Sequence, residues 1–321
     1  MKRKWLIGAT MLGLSAVAGP ALADGLKPVE DVHIVVVTHG SSSDAYWSVV
    51  KRGVDDAAAL TGAQVDYYAP QVFDVVEQAR LIEAAIASQP DGLAVSIPDA
   101  DAMRGPVTAA VAAGIPVIVL DSGEVPGMEM GAGLYVGTVS EYDSGVKAGR
   151  RLAGEGILTV VCVNHEVGNV SLDERCQGIN DGLAESGGAS EVIAVQQDPA
   201  DVQRRVEAYL SAHPDVQAVF ATGTASANPL IQMFRERDMF GTMGLYTFDV
   251  GPEILDSIVA GEMGFGMDGQ QYLMGYLPVL FLVQNATNGL WVQNNTYTGP
   301  LFIDSPEKAS AILTLSQQGI R

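Results

Sequence analysis

The sequence predicts an α/β protein built from two doubly wound parallel sheets in series. Three observations carry this. Short runs of β-branched residues alternate with segments whose apolar residues recur at helical spacing, the pattern of parallel sheets covered by helices on both faces. That alternation runs through one stretch of chain and then begins again in a second. The 321 residues suit two domains of roughly 150 residues, each with its own core.

In the first stretch, His33–Thr38 (HIVVVT) reads as a buried strand, followed by a helix from about Asp44 to Leu60. Val65–Tyr68 is the next strand. Asp74–Ser88 is the next helix, with Val75, Ala79, Ile82 and Ile86 on one face. Gly92–Ser96 is a strand, Ala102–Ala113 a helix, and Pro116–Leu120 a strand ending at Asp121. The run Ala113-Gly-Ile-Pro116 stops that helix and starts that strand. In the second stretch the expected strands are Leu158–Val163, Val192–Val195, Ala218–Ala221 and Leu245–Phe248. The helices between and after them are Leu172–Glu185, Asp201–Ala212, Ala225–Arg237 and Glu253–Val259. A helix from about Gln271 to Asn285 and a terminal segment from Pro300 do not complete a third unit, so they should pack back on the first two.

Residues 1–23 read as a secretory signal peptide. Lys2, Arg3 and Lys4 are its basic start, Trp5 to Gly19 its apolar stretch, and Ala21-Leu22-Ala23 the small-x-small pattern before cleavage. The apolar run falls short of the roughly 20 residues needed to span a bilayer, and no cysteine follows it to carry a lipid. Eighteen Lys and Arg against 38 Asp and Glu give a formal net charge of −20, and loss of residues 1–23 makes the chain more acidic still. Such a surface repels phosphate backbones and anionic lipid, which excludes nucleic-acid binding. Two cysteines cannot build a disulfide scaffold or a four-thiolate zinc site. Outside the cytoplasm Cys162 and Cys176 either form one disulfide or remain two buried thiols, and spacing alone does not decide between these.

In open α/β sheets, ligands bind beyond the carboxyl ends of the strands. This singles out Thr38–Trp47, Ser96–Asp99, Asp121–Ser122, Asn164–Asn169, Thr222–Ser226 and Asp249, segments rich in hydroxyls, amides and carboxylates. Enzyme signatures are missing: there is no Gly-x-Ser-x-Gly elbow, no His-Glu-x-x-His helix and no Gly-x-x-x-x-Gly-Lys loop. Thr38-His-Gly-Ser-Ser-Ser43 also fails the Gly-x-Gly-x-x-Gly spacing of a dinucleotide site. No Asp-x-Asp-x-Asp-Gly calcium loop appears, so no metal and no cofactor are expected.

With these residues in place, the chain resembles the type I periplasmic sugar-binding proteins, the ribose-binding-like solute receptors of ABC transporters. The likeness rests on His33–Thr38 followed by Asp44-Ala-Tyr-Trp47 and Lys51–Val54, then Pro90-Asp-Gly-Leu93 and Gly114-Ile-Pro-Val-Ile118 ending in Leu120-Asp121. It continues through Glu174-Arg-Cys-Gln-Gly178, the run from Ala212 to Ala221, Thr247-Phe-Asp249 and Gly269-Gln-Gln-Tyr-Leu-Met-Gly275. The resemblance implies two Rossmann-like lobes joined by a three-segment hinge, with crossovers near Thr138, Asp268 and Pro300. One lobe would comprise 24–138 plus 269–299, and the other 139–268 plus 300–321. It further implies a monomer that closes on a ligand, then docks on a membrane permease and in some cases a chemoreceptor.

By the same resemblance, Tyr46 and Trp47 would lie against the apolar side of a sugar ring. Asp121 and Asp249 would each accept from ligand hydroxyls, the alternative being that they cap the following helices. Arg175 would serve the ligand or be tied to a structural carboxylate. His165 and Asn169 are further candidates, with Asp44 and His39 beside the cleft by position. The chain departs from the ribose-binding pattern at Asp173, where that pattern carries an arginine, at Thr222 and Ile97, where it carries amides, and near the second crossover. There Asp268 and Gln270 stand in for another amide. Five carboxylates, Asp44, Asp121, Asp173, Asp249 and Asp268, against one arginine favour a neutral sugar or polyol over an anionic one. The function expected is therefore a periplasmic receptor delivering a neutral sugar or polyol to an ABC import permease. The alternative is a receptor for a sugar-like signal molecule that reports to a membrane sensor.

Overall fold

In the computed structural model, residues 26–40 and 44–321 are described. The export segment 1–23 and its cleavage after Ala23 lie outside the described residues. In the first half the strands are β1 (His33–Val37), β2 (Gln64–Tyr68), β3 (Gly92–Val95), β4 (Val117–Leu120) and β5 (Leu134–Thr138). They are connected by helices α1 (Ala45–Thr61), α2 (Val75–Ala87), α3 (Ala100–Ala112) and α4 (Glu124–Glu129). Helix α5 (Glu141–Gly154) leads to β6 (Thr159–Asn164), α6 (Val170–Ala184), β7 (Ala189–Ala194), α7 (Pro199–Ala212) and β8 (Ala218–Ala221). Then follow α8 (Thr224–Glu236), β9 (Gly244–Phe248), α9 (Pro252–Val259), β10 (Phe265–Asp268) and α10 (Gln271–Asn288). The chain closes with β11 (Thr296–Gly299), β12 (Leu301–Ile303) and α11 (Pro306–Gln317).

The strands form two six-stranded sheets, ordered β11-β5-β4-β3-β1-β2 and β12-β10-β9-β8-β6-β7. Every pairing is parallel except β10 with β12. The central strands are apolar on both faces because helices cover both. In β1, Ile34 and Val36 face the core shared with α1 and α10, whereas Val35 and Val37 face the core under α2 and α3. That two-sided burial explains why HIVVV reads as a continuous apolar run rather than an alternation.

The predicted alternation holds, with ends shifted by a few residues. Reading from sequence left α4, β5, α5, β10, β11, β12 and α11 unassigned. Helix α5 carries Gly145, Gly149 and Gly154, which weakens its helical signal. Gly145 and Gly149 serve tertiary packing instead. A Cβ on Gly178 would meet the Tyr142 carbonyl, and one on Gly145 would meet the Arg175 carbonyl, so α5 and α6 touch backbone to backbone. The chain passes between the sheets three times: from β5 to α5, from β10 to α10, and from β11 to β12. The helix read at Gln271 packs back on the first sheet beside α1, while β12 joins the second sheet and α11 lies on α9. Cys162 of β6 and Cys176 of α6 are joined in a disulfide with Cα atoms 5.8 Å apart. No helix among the described residues is long and apolar enough to cross a membrane.

Candidate functional site

The carboxyl ends of both parallel sheets face one cleft, which holds about 410 Å³ free of protein atoms, its solvent-open part included. Helix α1 supplies one wall. Asp44 caps it, accepting from the Tyr46 N–H at 2.8 Å and the Trp47 N–H at 3.4 Å, and so sets both aromatic rings at the cleft. Tyr46 and Trp47 meet edge to face with centroids 5.0 Å apart, and His39 stands edge-on to Trp47 at 4.6 Å.

Asp121 follows β4 and Asp249 follows β9, and both adopt left-handed backbone, with φ of 64° and 67°. Aspartate tolerates this conformation better than most residues, and it turns each carboxylate off its strand into the cleft. Neither side chain caps a helix: the residues at the cap positions of α4 and α9 are Gly123 and Gly251. Asp121 accepts from the Tyr46 hydroxyl. Asp249 accepts from Arg175 at 3.2 Å. Arg175 also donates to the Glu141 carboxylate at 2.7 and 3.3 Å and to the Thr222 carbonyl at 2.8 Å, and its guanidinium lies 4.6 Å from the Phe248 ring centroid. The arginine is thus tied to a structural carboxylate and lines the cleft at once.

At one rim the ends of the two sheets touch. The Val170 N–H donates to the Pro98 carbonyl at 3.0 Å, and Asn169 Nδ2 lies 3.3 Å from His39 Nε2. Glu166 accepts from Asn169 at 2.6 Å and from Gln197 at 2.7 Å, with His39 Nε2 at 3.5 Å.

Electrostatics follow from burying four carboxylates, Asp44, Asp121, Glu166 and Asp249, around one cleft. Burial pushes the Asp249 carboxyl up to about 7, with Glu141 and Asp121 adding to it and Arg175 opposing. Burial likewise raises Asp121 and Asp44 and lowers His165. At Glu166 burial also pushes upward, but the hydrogen bond and positive potential of His39, with help from His165 and Asn169, bring the carboxyl down to about 2. Burial alone would lower Arg175, and the charges of Glu141 and Asp249 hold it well above its usual value.

Ten of the residues singled out from sequence line this cleft: His39, Asp44, Tyr46, Trp47, Asp121, His165, Asn169, Arg175, Thr222 and Asp249. Three do not. Asp173 turns away along α6 and accepts from Asn164 at 2.7 Å. Asp268 is fully buried at the second crossing, paired with Arg321 and accepting from the Gln270 N–H at 2.8 Å. Gln270 has φ of 59° and donates its amide to the Thr298 carbonyl. Gln270 therefore ties the second crossing to the third, and Asp268 ties it to the C-terminal residue, instead of facing the cleft. Sequence reasoning missed Glu141, Glu166, Ser171, Leu172, Gln197 and Thr224. Glu166 sat in the polar run Asn164–Asn169 and was within reach, whereas nothing local marks Glu141, whose partner lies 34 residues away.

Comparison with known proteins agrees with this geometry. The chain is 30% identical to a carbohydrate transporter protein of Acidothermus cellulolyticus solved in complex with myo-inositol, with a TM-score of 0.84 over 90% of this chain and 99% of that one. It is 29% identical to a periplasmic sugar-binding protein of an ABC sugar transporter from Legionella pneumophila, with a TM-score of 0.78 over 84% and 99% of the two chains. It is 26% identical over 308 residues to the xylose/arabinose-binding protein XylF of Sulfolobus acidocaldarius, covering 90% of this chain and 73% of that protein. The family described as periplasmic binding protein domain matches residues 8–289. The chain belongs to the periplasmic binding proteins.

Proposed function

We propose that this protein is the receptor of an ABC importer, capturing a neutral sugar or polyol in the cleft and delivering it to the membrane permease. The observation that carries the reading is the pair of left-handed aspartates, Asp121 and Asp249, facing each other across a cleft walled by Tyr46 and Trp47. Aromatic faces suit the C–H side of a sugar ring, and carboxylates accept hydroxyl protons in charge-assisted bonds roughly twice as strong as neutral ones. The relatives whose names or structures carry xylose, arabinose or myo-inositol support that ligand class. An anionic ligand would meet repulsion from Asp44, Asp121, Asp249 and Glu166.

The lobes proposed are 24–138 plus 269–299 and 139–268 plus 300–321, in keeping with the three crossings. His39, Asp44, Tyr46, Trp47 and Asp121 hold the ligand from one lobe. His165, Asn169, Arg175, Thr222 and Asp249 hold it from the other. Bridging both, the ligand shifts the population toward the closed form that the permease reads. The mature protein begins at Asp24 and acts as a monomer in the periplasm.

A thermal-shift screen of the mature protein against neutral sugars, polyols and sugar acids tests the reading. A ligand at 100 times its Kd stabilises by about 2.7 kcal/mol. A rise for a neutral polyhydroxy compound is expected. A rise confined to acids would overturn the ligand class.

A further inference from the structure

His165 directly follows β6, and a Cβ built on Gly223 would meet both its ring edge and the Asp249 carboxylate. Behind it, Nδ1 lies 3.0 Å from Thr222 Oγ1 and 3.3 Å from Ser226 Oγ. A hydroxyl has one proton to give. Thr222 donates its proton to the Val163 carbonyl at 2.9 Å, and Ser226 donates its own to the Gly223 carbonyl at 3.1 Å. With these bonds made, both hydroxyls meet the imidazole as acceptors, and the proton they receive belongs to Nδ1. The neutral ring then carries no proton on Nε2.

We infer that His165 is a tautomer-fixed acceptor that determines specificity: the ligand group seated against Nε2 is a hydrogen-bond donor, a hydroxyl or an ammonium. A carbonyl, carboxylate or ether oxygen there would face a bare lone pair. The rest of the cleft demands the same. Asp121 Oδ2 and Asp249 Oδ1 have no partner among the described residues, since Tyr46 binds the other oxygen of Asp121 and Arg175 the other oxygen of Asp249. Burial keeps the imidazole neutral by lowering its pKa against the charges of Glu166 and Asp44. This inference rests on the sugar-receptor reading for its ligand and on the hydroxyl pair for its tautomer.

The test is a long-range proton–nitrogen correlation spectrum of the mature protein labelled at histidine, at pH 7. Four histidines are present, and the His165 pattern is assigned by its loss in His165→Phe. The ligand-free spectrum should show His165 protonated at Nδ1 alone. In the variant Thr222→Val with Ser226→Ala, that preference should give way to the Nε2–H form. The probes are myo-inositol and D-arabinose, and the one that raises Tm should also move the Nε2 resonance. Protonation at Nε2, or at both nitrogens, in the wild-type protein overturns the inference. So does an unmoved Nε2 resonance when a probe raises Tm. A Tm unmoved by either probe counts against the polyol reading, and the ligand-free spectrum still decides the tautomer.

Discussion

Replacing Asp249 by Asn should stabilise the protein at neutral pH while weakening its binding. The carboxyl is 4% exposed, and burial, with the charges of Glu141 and Asp121, raises it from 3.8 to about 7. Between those values the folded protein holds a proton that the unfolded chain has released. The stabilisation from that proton is full below about pH 4 and is lost as the pH rises through about 7. A gap of about 3 pH units corresponds to about 4 kcal/mol. Asn keeps the shape and an oxygen for Arg175, and has no charge to titrate. Urea unfolding of both proteins from pH 4 to pH 8 should show near-equal stability at the acid end. The variant should then draw ahead by about 4 kcal/mol at the alkaline end. Parallel profiles would refute the claim that burial raises the Asp249 carboxyl and that its ionisation costs stability. Under the proposed function, such a carboxylate is retained to accept from ligand hydroxyls.

Three further outcomes follow from the same geometry. Asp121→Ala should weaken binding of the polyhydroxy compound that raises Tm by about 1.5–3 kcal/mol, roughly tenfold to more than a hundredfold by calorimetry, and an unchanged Kd would remove Asp121 from the site. Glu141→Ala leaves Arg175 without both of its bonds to Glu141 and should cost about 3–5 kcal/mol, read as a lower Tm that Glu141→Gln partly restores; a Tm equal to wild type would show the pair to be idle. Reduction of the Cys162–Cys176 disulfide, which closes a 14-residue separation, should lower unfolding stability by about 3 kcal/mol, and identical urea midpoints with and without reductant would contradict this.

Much of the architecture was legible because its signals are local. A strand buried on both faces must be apolar throughout, as in His33–Val37, and a helix laid on a sheet must repeat at its own period, as in α2. The rule placing ligands beyond strand ends then named the segments that hold Tyr46, Trp47, Asp121, His165 and Asp249 before any coordinates, and the family resemblance added Arg175. The sequence by itself therefore determined two doubly wound units, their order, and the strand ends that carry the polar groups. The tertiary structure decided what those groups do, because their partners are distant in the chain. Glu141 meets Arg175 only because glycines let α5 and α6 touch, and Asp268 is withdrawn from the cleft only because Arg321 reaches it from the far end of the chain. The left-handed turns at Asp121 and Asp249 and the proton on His165 likewise depend on neighbours that no local pattern encodes.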